Sequence, residues 1–232
     1  MRIDIWSDIV CPWCYIGKRR FERALAGFKH RDAVKIVHRS FQLYAASPRG
    51  TAHSHRDGLM SKYGLSESQA DARQVEMERT AAQEGLEFRL VGGVTGNTFD
   101  AHRLLHLARS RGIQGAVLER LYRAHFTEQR SIFDVESLVA LAAEAGLDAT
   151  EAVGVLRGDA YAEVVAADLQ EARGRGIGGV PSYLLDRRHA VSGARPTEFF
   201  TAALTQAWTD VQVASSGSQD GVFGAIAGSR GA

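Results

Sequence analysis

Hydrophobic and polar positions along the first 43 residues predict two strands and a helix between them. Residues 2–7 alternate apolar and polar side chains, which is typical of a strand. Residues 12–28 repeat apolar side chains at a spacing near 3.6, which predicts a helix. Residues 34–43 predict a second strand, with Val34 and Ile36 on one face.

The middle of the chain has helical periodicity almost throughout. Ser66 and Gln69 can form a capping box, which predicts that a helix begins there and runs to about Glu84. Further helical patterns follow in "NTFDAHRLLHLARSRG", "IQGAVLERLYRAHFTEQ", "DVESLVALAAEAG", "TEAVGVLRG" and "DAYAEVVAADLQEARGRG". We therefore expect roughly residues 60–175 to be nearly all helix.

Strand patterns return only near the end of the sequence. The segments "SYLLD" and "HAVSG" predict two strands, and the short Arg187-Arg188 link between them predicts a tight hairpin. Pro196 opens a last predicted helix. The stretch from residue 211 to residue 232 is rich in Gly, Ser and Ala, which predicts a flexible tail.

Apart from the helical block, the predicted order is β-α-β followed by β-β-α, which is the order of the thioredoxin fold. We therefore predict an α/β protein with a thioredoxin fold and a large all-helical insertion domain. The thioredoxin-like domain would comprise residues 1–58 and 176–210, the inserted helical domain residues 59–175, and the tail residues 211–232.

Composition and charge narrow the class of partner. The chain has 232 residues, of which 45% are hydrophobic and 24% charged, and its net charge is +1. Such a balance creates no field that attracts nucleic acid or anionic lipid. The sequence has neither the apolar run of a secretory signal nor that of a membrane span. We expect a cytoplasmic monomer or homodimer with no nucleic-acid or membrane partner.

The two cysteines, Cys11 and Cys14, stand together in the motif CPWC. Pro12 is well placed as the first helical residue, so Cys11 falls at the helix N-cap and Cys14 in the first turn. The unpaired N–H groups and the positive dipole end of that helix stabilise a thiolate at Cys11. A thiolate attacks a disulfide, and a second thiol one turn away can resolve the mixed disulfide. This pattern predicts a redox dithiol.

Residues around the motif are candidates for tuning or substrate contact. Pro12 and Trp13 are candidate substrate-binding residues that also influence the redox poise, and Trp13 offers an apolar surface to a partner. Asp8 either accepts a proton from Cys14 or caps the turn before the helix, which is the commoner role. The basic run of residues 18–20 is expected to face solvent.

A metal site is the rival interpretation of the cysteines. Structural zinc needs four ligands, and two cysteines supply only half of them. His102 and His106 are four residues apart on a predicted helix and could supply the other two. Histidines on a helix face are more often packed or hydrogen-bonded, so we expect no metal.

The segment "GRGIGGVPSY" holds a second motif. Gly174, Gly176 and Gly179 satisfy a GxGxxG pattern, but a helix precedes it and a strand follows it, the reverse of a dinucleotide-binding fingerprint. We instead predict a cis bond between Val180 and Pro181. A cis-proline there faces the CxxC motif in thioredoxin-like folds and leaves the preceding backbone, here that of Val180, free to bind substrate.

Four segments, "SDIVCPWCYIGKRRFE", "NTFDAHRLLHLA", "FDVESLVALAAEAGLD" and "GIGGVPSYLLDRRHAVSGARP", resemble the DsbA-like thioredoxin-fold oxidoreductase family of the FrnE type. The resemblance implies dithiol–disulfide oxidoreductase activity, with Cys11 as nucleophile, Cys14 as resolving thiol and Pro181 as the cis-proline. It implies exchange with protein or low-molecular-weight thiols and disulfides, with no cofactor beyond the redox-active Cys11–Cys14 disulfide. Some relatives are associated with polyketide antibiotic biosynthesis, which makes that role an expectation here.

The 2-hydroxychromene-2-carboxylate isomerases and kappa-class glutathione transferases share this architecture. They typically have serine at the position of Cys11 and an acidic residue after the last strand, where this chain has Ala194 and Arg195. Both departures count against the alternative function, a glutathione-dependent isomerase or transferase. Glutathione stays a candidate ligand, and Asn97 and His102 stay candidates for lining a small-molecule cleft.

Overall fold

The order of elements is β-α-β, a long helical segment, and β-β-α. The structure is a computed structural model that describes residues 1–217. Its elements are β1 (Arg2–Ser7), α1 (Pro12–Ala26), β2 (Lys35–Ser40), β3 (Ala52–Ser54), α2 (His55–Tyr63), α3 (Glu67–Gln83), β4 (Val94–Gly96), α4 (Phe99–Ser110), α5 (Gln114–Phe126), α6 (Val135–Glu144), α7 (Ala149–Arg157), α8 (Ala162–Gly174), β5 (Ser182–Leu185), β6 (His189–Ser192) and α9 (Thr197–Gly217). The chain therefore has a thioredoxin fold with a large helical insertion, as predicted.

A mixed sheet with the strand order β2-β1-β5-β6 lies at the centre of the thioredoxin-like part. Strands β1 and β2 are parallel, with Ile5 opposite His38, and α1 makes the crossover between them. Strand β5 is antiparallel to both β1 and β6. This topology puts the end of β1, which leads into the CPWC motif, beside the start of β5, which follows Pro181.

Helices cover both faces of this sheet. On one face Ile3 and Ile5 of β1 are buried against Phe21 of α1 and Phe200 of α9. On the other face Trp6 is fully buried against α8, and its indole N–H donates a hydrogen bond to the Asp168 carbonyl at 3.2 Å. The alternation in β1 thus supplies an apolar side chain to each layer.

A buried ion network fixes α8 to the sheet. Arg39 of β2 donates to the carboxylates of Asp4, at 2.8 Å, and Asp168, at 2.6 Å. Asp168 also accepts the Ser40 backbone N–H at 2.9 Å. Burial alone would raise the pKa of Asp168, but hydrogen bonds from His106, Ser40 and Arg39 outweigh it and lower that pKa.

The inserted helices pack directly on α1. Tyr15 stacks on Tyr122 of α5 with ring centroids 4.7 Å apart, inside an apolar cluster that continues through the helical block. Glu119 of α5 forms ion pairs with Lys18, at 2.7 Å, and with Arg19. The insertion is therefore joined to α1 by a buried aromatic stack bordered by charged contacts.

The expectation that residues 18–20 face solvent is wrong. Besides the pairs of Lys18 and Arg19 with Glu119, Arg20 donates to Glu84 at 2.6 Å and to the Ala194 carbonyl at 2.7 Å. All three side chains are partly buried, because the insertion covers the helix face that would otherwise be exposed.

Two segments differ from the predicted elements. Strand β2 ends at Ser40 rather than at residue 43. The capping box of Ser66 and Gln69 begins α3 as predicted, but residues 84–98 are not helical. They include β4, which pairs with β3 in a separate two-stranded sheet that the pattern missed. Strands of three residues are too short for alternation to distinguish them from a loop.

The hairpin between β5 and β6 is tight, but its centre is one residue earlier than predicted. Asp186 and Arg187 are the central residues, with φ of 48° and 60°, and the Arg188 N–H donates to the Leu185 carbonyl at 3.0 Å. Positive φ at both central residues gives the turn the twist that matches paired strands, and Asp tolerates that conformation well.

The ends of the predicted domains can be placed on these elements. The boundary at residue 58 falls inside α2, and that at residue 176 falls just after α8. Helix α9 continues to Gly217, so residues 211–217, which we expected in a flexible tail, are helical. The rest of that predicted tail, residues 218–232, lies outside the described residues.

Candidate active site

The dithiol lies where β1 passes into α1. Cys11 is the N-cap residue in an extended conformation, Pro12 is the first helical residue, and Cys14 lies in the first turn. The Cys11 N–H donates to the Asp8 carbonyl at 3.1 Å, which closes the turn before the helix. No described side chain caps this helix start. Its free N–H groups and dipole therefore act on the Cys11 sulfur.

The two cysteines have different surroundings. Cys11 is 5% exposed and borders a cleft, Cys14 is 2% exposed, and Trp13 between them is 42% exposed. Burial raises the pKa of the Cys14 thiol well above its usual range, and the neighbouring Cys11 and the charge of Asp8 raise it further. Cys11 is therefore the thiol that borders the cleft, and Cys14 is the enclosed one.

The bond between Val180 and Pro181 is cis, the isomer expected from the order of elements. The Cys11 thiol lies 3.6 Å from the Val180 carbonyl oxygen, to which it donates. Helix and strand approach each other so closely here that a Cβ on Gly17 would lie 3.0 Å from Pro181 Cγ and 2.7 Å from the Tyr183 hydroxyl.

Gly17 is thus a site residue that the sequence interpretation missed. It lies inside α1, where glycine destabilises a helix by about 1 kcal/mol relative to alanine. A glycine inside a strongly helical pattern was the signal available, since it often marks close packing. Here the absence of a side chain lets Pro181 approach the helix that carries Cys11.

A small cavity of about 30 Å³ lies behind Cys14. Ser7, His38, Tyr122 and Tyr183 are among the side chains that line it. Burial, with a smaller effect of the Lys18 charge, lowers the pKa of His38 to about 4, so this imidazole is neutral at pH 7. The cavity is lined by apolar and polar side chains that include the charged Lys18 and Glu22, and it has room for one water molecule.

Asp8 lies beneath the motif and holds a neighbouring segment. One carboxylate oxygen accepts the Leu43 N–H at 2.7 Å, and the other lies 3.5 Å from His102 Nε2. The same His102 nitrogen lies 2.8 Å from the Phe41 carbonyl oxygen, to which it donates. The Asp8 side chain thus fixes the segment after β2, while its backbone carbonyl closes the turn before Cys11.

The other polar candidates also fix backbone. Asn97 donates to the Ser47 carbonyl at 2.8 Å and accepts from Gln42 at 2.9 Å. His106 Nε2 lies 3.0 Å from Ser40 Oγ and 3.2 Å from an Asp168 oxygen. Within residues 1–217, no group of three or more His, Cys, Asp or Glu side chains is arranged to hold a metal ion.

The cleft beside Cys11 has a volume of about 320 Å³. Its walls are residues 10–13, residues 43–44, helices α2 and α3, and the segment 178–180. The structure brings Pro12, Trp13 and Val180 together at this cleft, whereas Asn97 and His102 do not line it.

A dithiol at a helix start that faces a cis-proline at a strand start defines a thioredoxin-fold protein of the CxxC class. A family model described as a DsbA-like thioredoxin domain matches residues 2–205, and the chain belongs to this family. Every helix within residues 1–217 is too short or too polar to cross a membrane.

Three known proteins illustrate the similarity. A probable DsbA oxidoreductase of Streptomyces coelicolor is 52% identical, with a TM-score of 0.87 and 90% of each chain covered. The cytosolic disulfide reductase DsbM of Pseudomonas aeruginosa, solved with GSH, shares the fold at 20% identity, with a TM-score of 0.63 over 89% of this chain and 98% of that one. The uncharacterized protein YwbO of Bacillus subtilis is 26% identical over 207 residues, which are 88% of this chain and 96% of that protein.

Proposed function

We propose that this protein is a thiol–disulfide oxidoreductase in which Cys11 is the nucleophile and Cys14 the resolving thiol. The observation that carries the proposal is the asymmetry of the pair: Cys11 borders an open cleft at a helix start, and Cys14 is buried with a raised pKa. Membership of the DsbA-like family supports the class of reaction.

In the proposed reaction the Cys11 thiolate attacks one sulfur of a substrate disulfide, and the other sulfur leaves as a thiolate. Cys14 then loses its proton and attacks Cys11 Sγ, which releases the second substrate thiolate and leaves a Cys11–Cys14 disulfide. The protein dithiol gives up two electrons and the substrate disulfide gains them. The reverse sequence oxidises a substrate dithiol.

Residues at the cleft would orient the substrate. The backbone of Val180, which precedes Pro181, lies beside Cys11 and lines the cleft. In this proposal it pairs with a bound peptide or small thiol. The exposed indole of Trp13 offers apolar contact at the mouth.

The experiment is reduction of insulin disulfides by the wild-type protein and by two single variants. We expect Cys11→Ser to abolish the reaction, and Cys14→Ser to accumulate a mixed disulfide at Cys11 that is visible by mass spectrometry. Retained activity in Cys11→Ser would contradict the proposal.

We further propose that the protein is of the FrnE type and exchanges disulfides with protein or low-molecular-weight thiols. The same proposal includes a role in polyketide biosynthesis, a cytoplasmic location and a monomeric or homodimeric state.

The alternative is a glutathione-dependent isomerase or transferase. It predicts that saturable glutathione binding survives Cys14→Ser. Absence of binding at millimolar glutathione would remove that alternative.

A further inference from the structure

The cleft beside Cys11 carries an unbalanced positive charge. Lys62 in the last turn of α2 and Arg73 in the middle of α3 both line it, and no carboxylate within residues 1–217 does. This imbalance is local, since the whole chain carries 28 basic and 27 acidic residues.

Both cations lie against the ring of Tyr63. The Arg73 guanidinium lies 4.7 Å from the centroid of the Tyr63 ring, and Lys62 Nζ lies 5.5 Å from the same centroid. Neither forms an ion pair with any residue in the described part of the chain. Two cations beside one ring create a local positive potential, which favours the binding of an anion.

The acidic residues on the first turns of α3 lie near another cation, Arg56. Glu67 and Asp71, on the first turns of α3, lie 3.7 and 3.5 Å from Arg56 Nη1. His55 also lines the cleft, and its Nδ1 accepts a hydrogen bond from the Gln74 side-chain amide at 2.9 Å. The positive charge at Lys62 and Arg73 is therefore left for a ligand.

Most of the remaining lining is apolar or aromatic. Tyr44, Leu59 and Met77 line the cleft together with Tyr63, and Cys11 also lines it. A concave site of a few hundred cubic ångströms lined mainly by apolar groups, with a few charged ones, is typical of small-molecule binding. The volume of about 320 Å³ lies at the small end of that range.

We propose that this cleft binds a low-molecular-weight disulfide, or the thiol derived from it, that carries an anionic group on an apolar or aromatic body. Lys62 and Arg73 would bind the anion while Cys11 attacks the sulfur, and the inference rests on the proposed thiol–disulfide exchange. In the forward reaction one substrate disulfide becomes two thiolates, and the Cys11–Cys14 dithiol becomes a disulfide.

The test compares two aromatic disulfides in single-turnover reactions with the reduced, full-length protein. The anionic probe is 5,5′-dithiobis(2-nitrobenzoate), and the neutral probe is 4,4′-dithiodipyridine. The variant Lys62→Gln/Arg73→Gln is compared with Lys29→Gln/Arg79→Gln, which removes two charges at exposed positions that do not line the cleft. The readout is the second-order rate constant for thiolate release.

We expect the cleft variant to lower the ratio of the anionic to the neutral rate constant by about five- to twentyfold, as for two partly exposed ion pairs. The control variant should keep the wild-type ratio. Raising the salt concentration should slow the anionic reaction of the wild type more than that of the cleft variant.

Two other outcomes would overturn the inference. One is an unchanged ratio in the cleft variant. The other is slower reduction of insulin by the cleft variant without loss on the anionic probe, which would assign the cations to an acidic peptide. If reduced wild-type protein releases no thiolate from either probe, the proposed function itself fails.

Discussion

The two sides of the dithiol are built differently. On the side of Cys11 lies an open cleft with two unpaired cations, an exposed tryptophan and the backbone of Val180. On the side of Cys14, the closed side because this thiol is buried, lies a small cavity of about 30 Å³ lined by apolar and polar side chains that include Lys18 and Glu22. The charge of Asp8 also acts on the Cys14 thiol.

In the proposed function, this difference separates two chemical tasks that fall within one motif of four residues. Encounter with a substrate requires access and a stabilised thiolate, which a helix start beside a cleft provides. Resolution requires a thiol that stays protonated until a mixed disulfide forms, which burial provides. The open side should therefore tolerate changes that alter specificity, while the closed side should not.

The largest expected effect is on the reactivity of the two thiols taken separately. In Cys14→Ser only Cys11 remains, and in Cys11→Ser only Cys14 remains. At pH 8 we expect iodoacetamide to modify Cys11 more than about tenfold faster, because the thiolate fraction falls about tenfold for each unit by which a pKa exceeds the pH.

The pH dependence of alkylation should also differ between the two thiols. The pKa of Cys14 is raised, so its alkylation rate should keep rising with pH above 9. Burial is the largest cause of that shift, so it persists when Cys11 is replaced. Equal rates for the two variants, or a plateau for Cys14 below pH 9, would contradict the comparison.

The second prediction concerns the closed side. Gly17→Ala adds a Cβ that would lie 2.7 Å from the Tyr183 hydroxyl and 3.0 Å from Pro181 Cγ. We expect the free energy of unfolding to fall by about 1–3 kcal/mol, as for overpacking in a core. Insulin reduction should also slow, because Pro181 must move relative to Cys11.

Gly154→Ala is the matched control for this change. Gly154 is also inside a helix, α7, but a Cβ there meets nothing within 4 Å. Alanine should stabilise the protein by up to about 1 kcal/mol through helix propensity. Chemical denaturation of both variants measures the difference, and equal effects would show that Gly17 has no packing role.

The local sequence was sufficient to place the dithiol. Pro12 marks the first helical residue, and the proline of Val180-Pro181 precedes a strand, so each position can be inferred from its neighbours. The sheet order then brings the two together. The fold was predictable for a similar reason, since each long element carries its own period.

Contacts between distant elements were not predictable in this way. Lys62 of α2 and Arg73 of α3 lie beside the same Tyr63 ring because the two helices pack together, and no periodicity predicts that arrangement. The basic run of residues 18–20 looks solvent-facing by composition, yet Glu119 lies about one hundred residues later in the chain and covers it. Charge alone does not reveal which face an insertion will bury.

The third prediction compares how an exposed and a buried tryptophan affect the free energy of unfolding. Trp13→Ala removes a side chain that is 42% exposed, so the free energy of unfolding should change by less than about 0.5 kcal/mol. Trp6→Phe removes a fully buried indole and its hydrogen bond to Asp168, which should cost about 1–3 kcal/mol. Insulin reduction should slow for Trp13→Ala and stay near wild type for folded Trp6→Phe. The reverse pattern would remove Trp13 from the substrate surface.

The smallest expected effect distinguishes two roles of Asp8. Its negative charge raises the pKa of Cys14, so Asp8→Asn should lower that pKa. Asparagine keeps an oxygen that can accept the Leu43 N–H, so the segment after β2 should stay in place. In the Cys11→Ser background, alkylation of Cys14 at fixed pH should therefore speed up, by less than about tenfold because burial is the larger cause.

The other role of Asp8 is to take the proton of Cys14 during resolution. In the protein with both cysteines, that role predicts slower rather than faster chemistry for Asp8→Asn. Asp8→Asn would then slow release of the second thiolate from a mixed disulfide, although the Cys14 thiol ionises more readily. Asp32→Asn, at an exposed carboxylate far from the motif, controls for net charge. Faster alkylation with unchanged resolution makes Asp8 an electrostatic and structural residue, whereas slower resolution assigns it the proton. The closed side would then hold a base as well as a protected thiol.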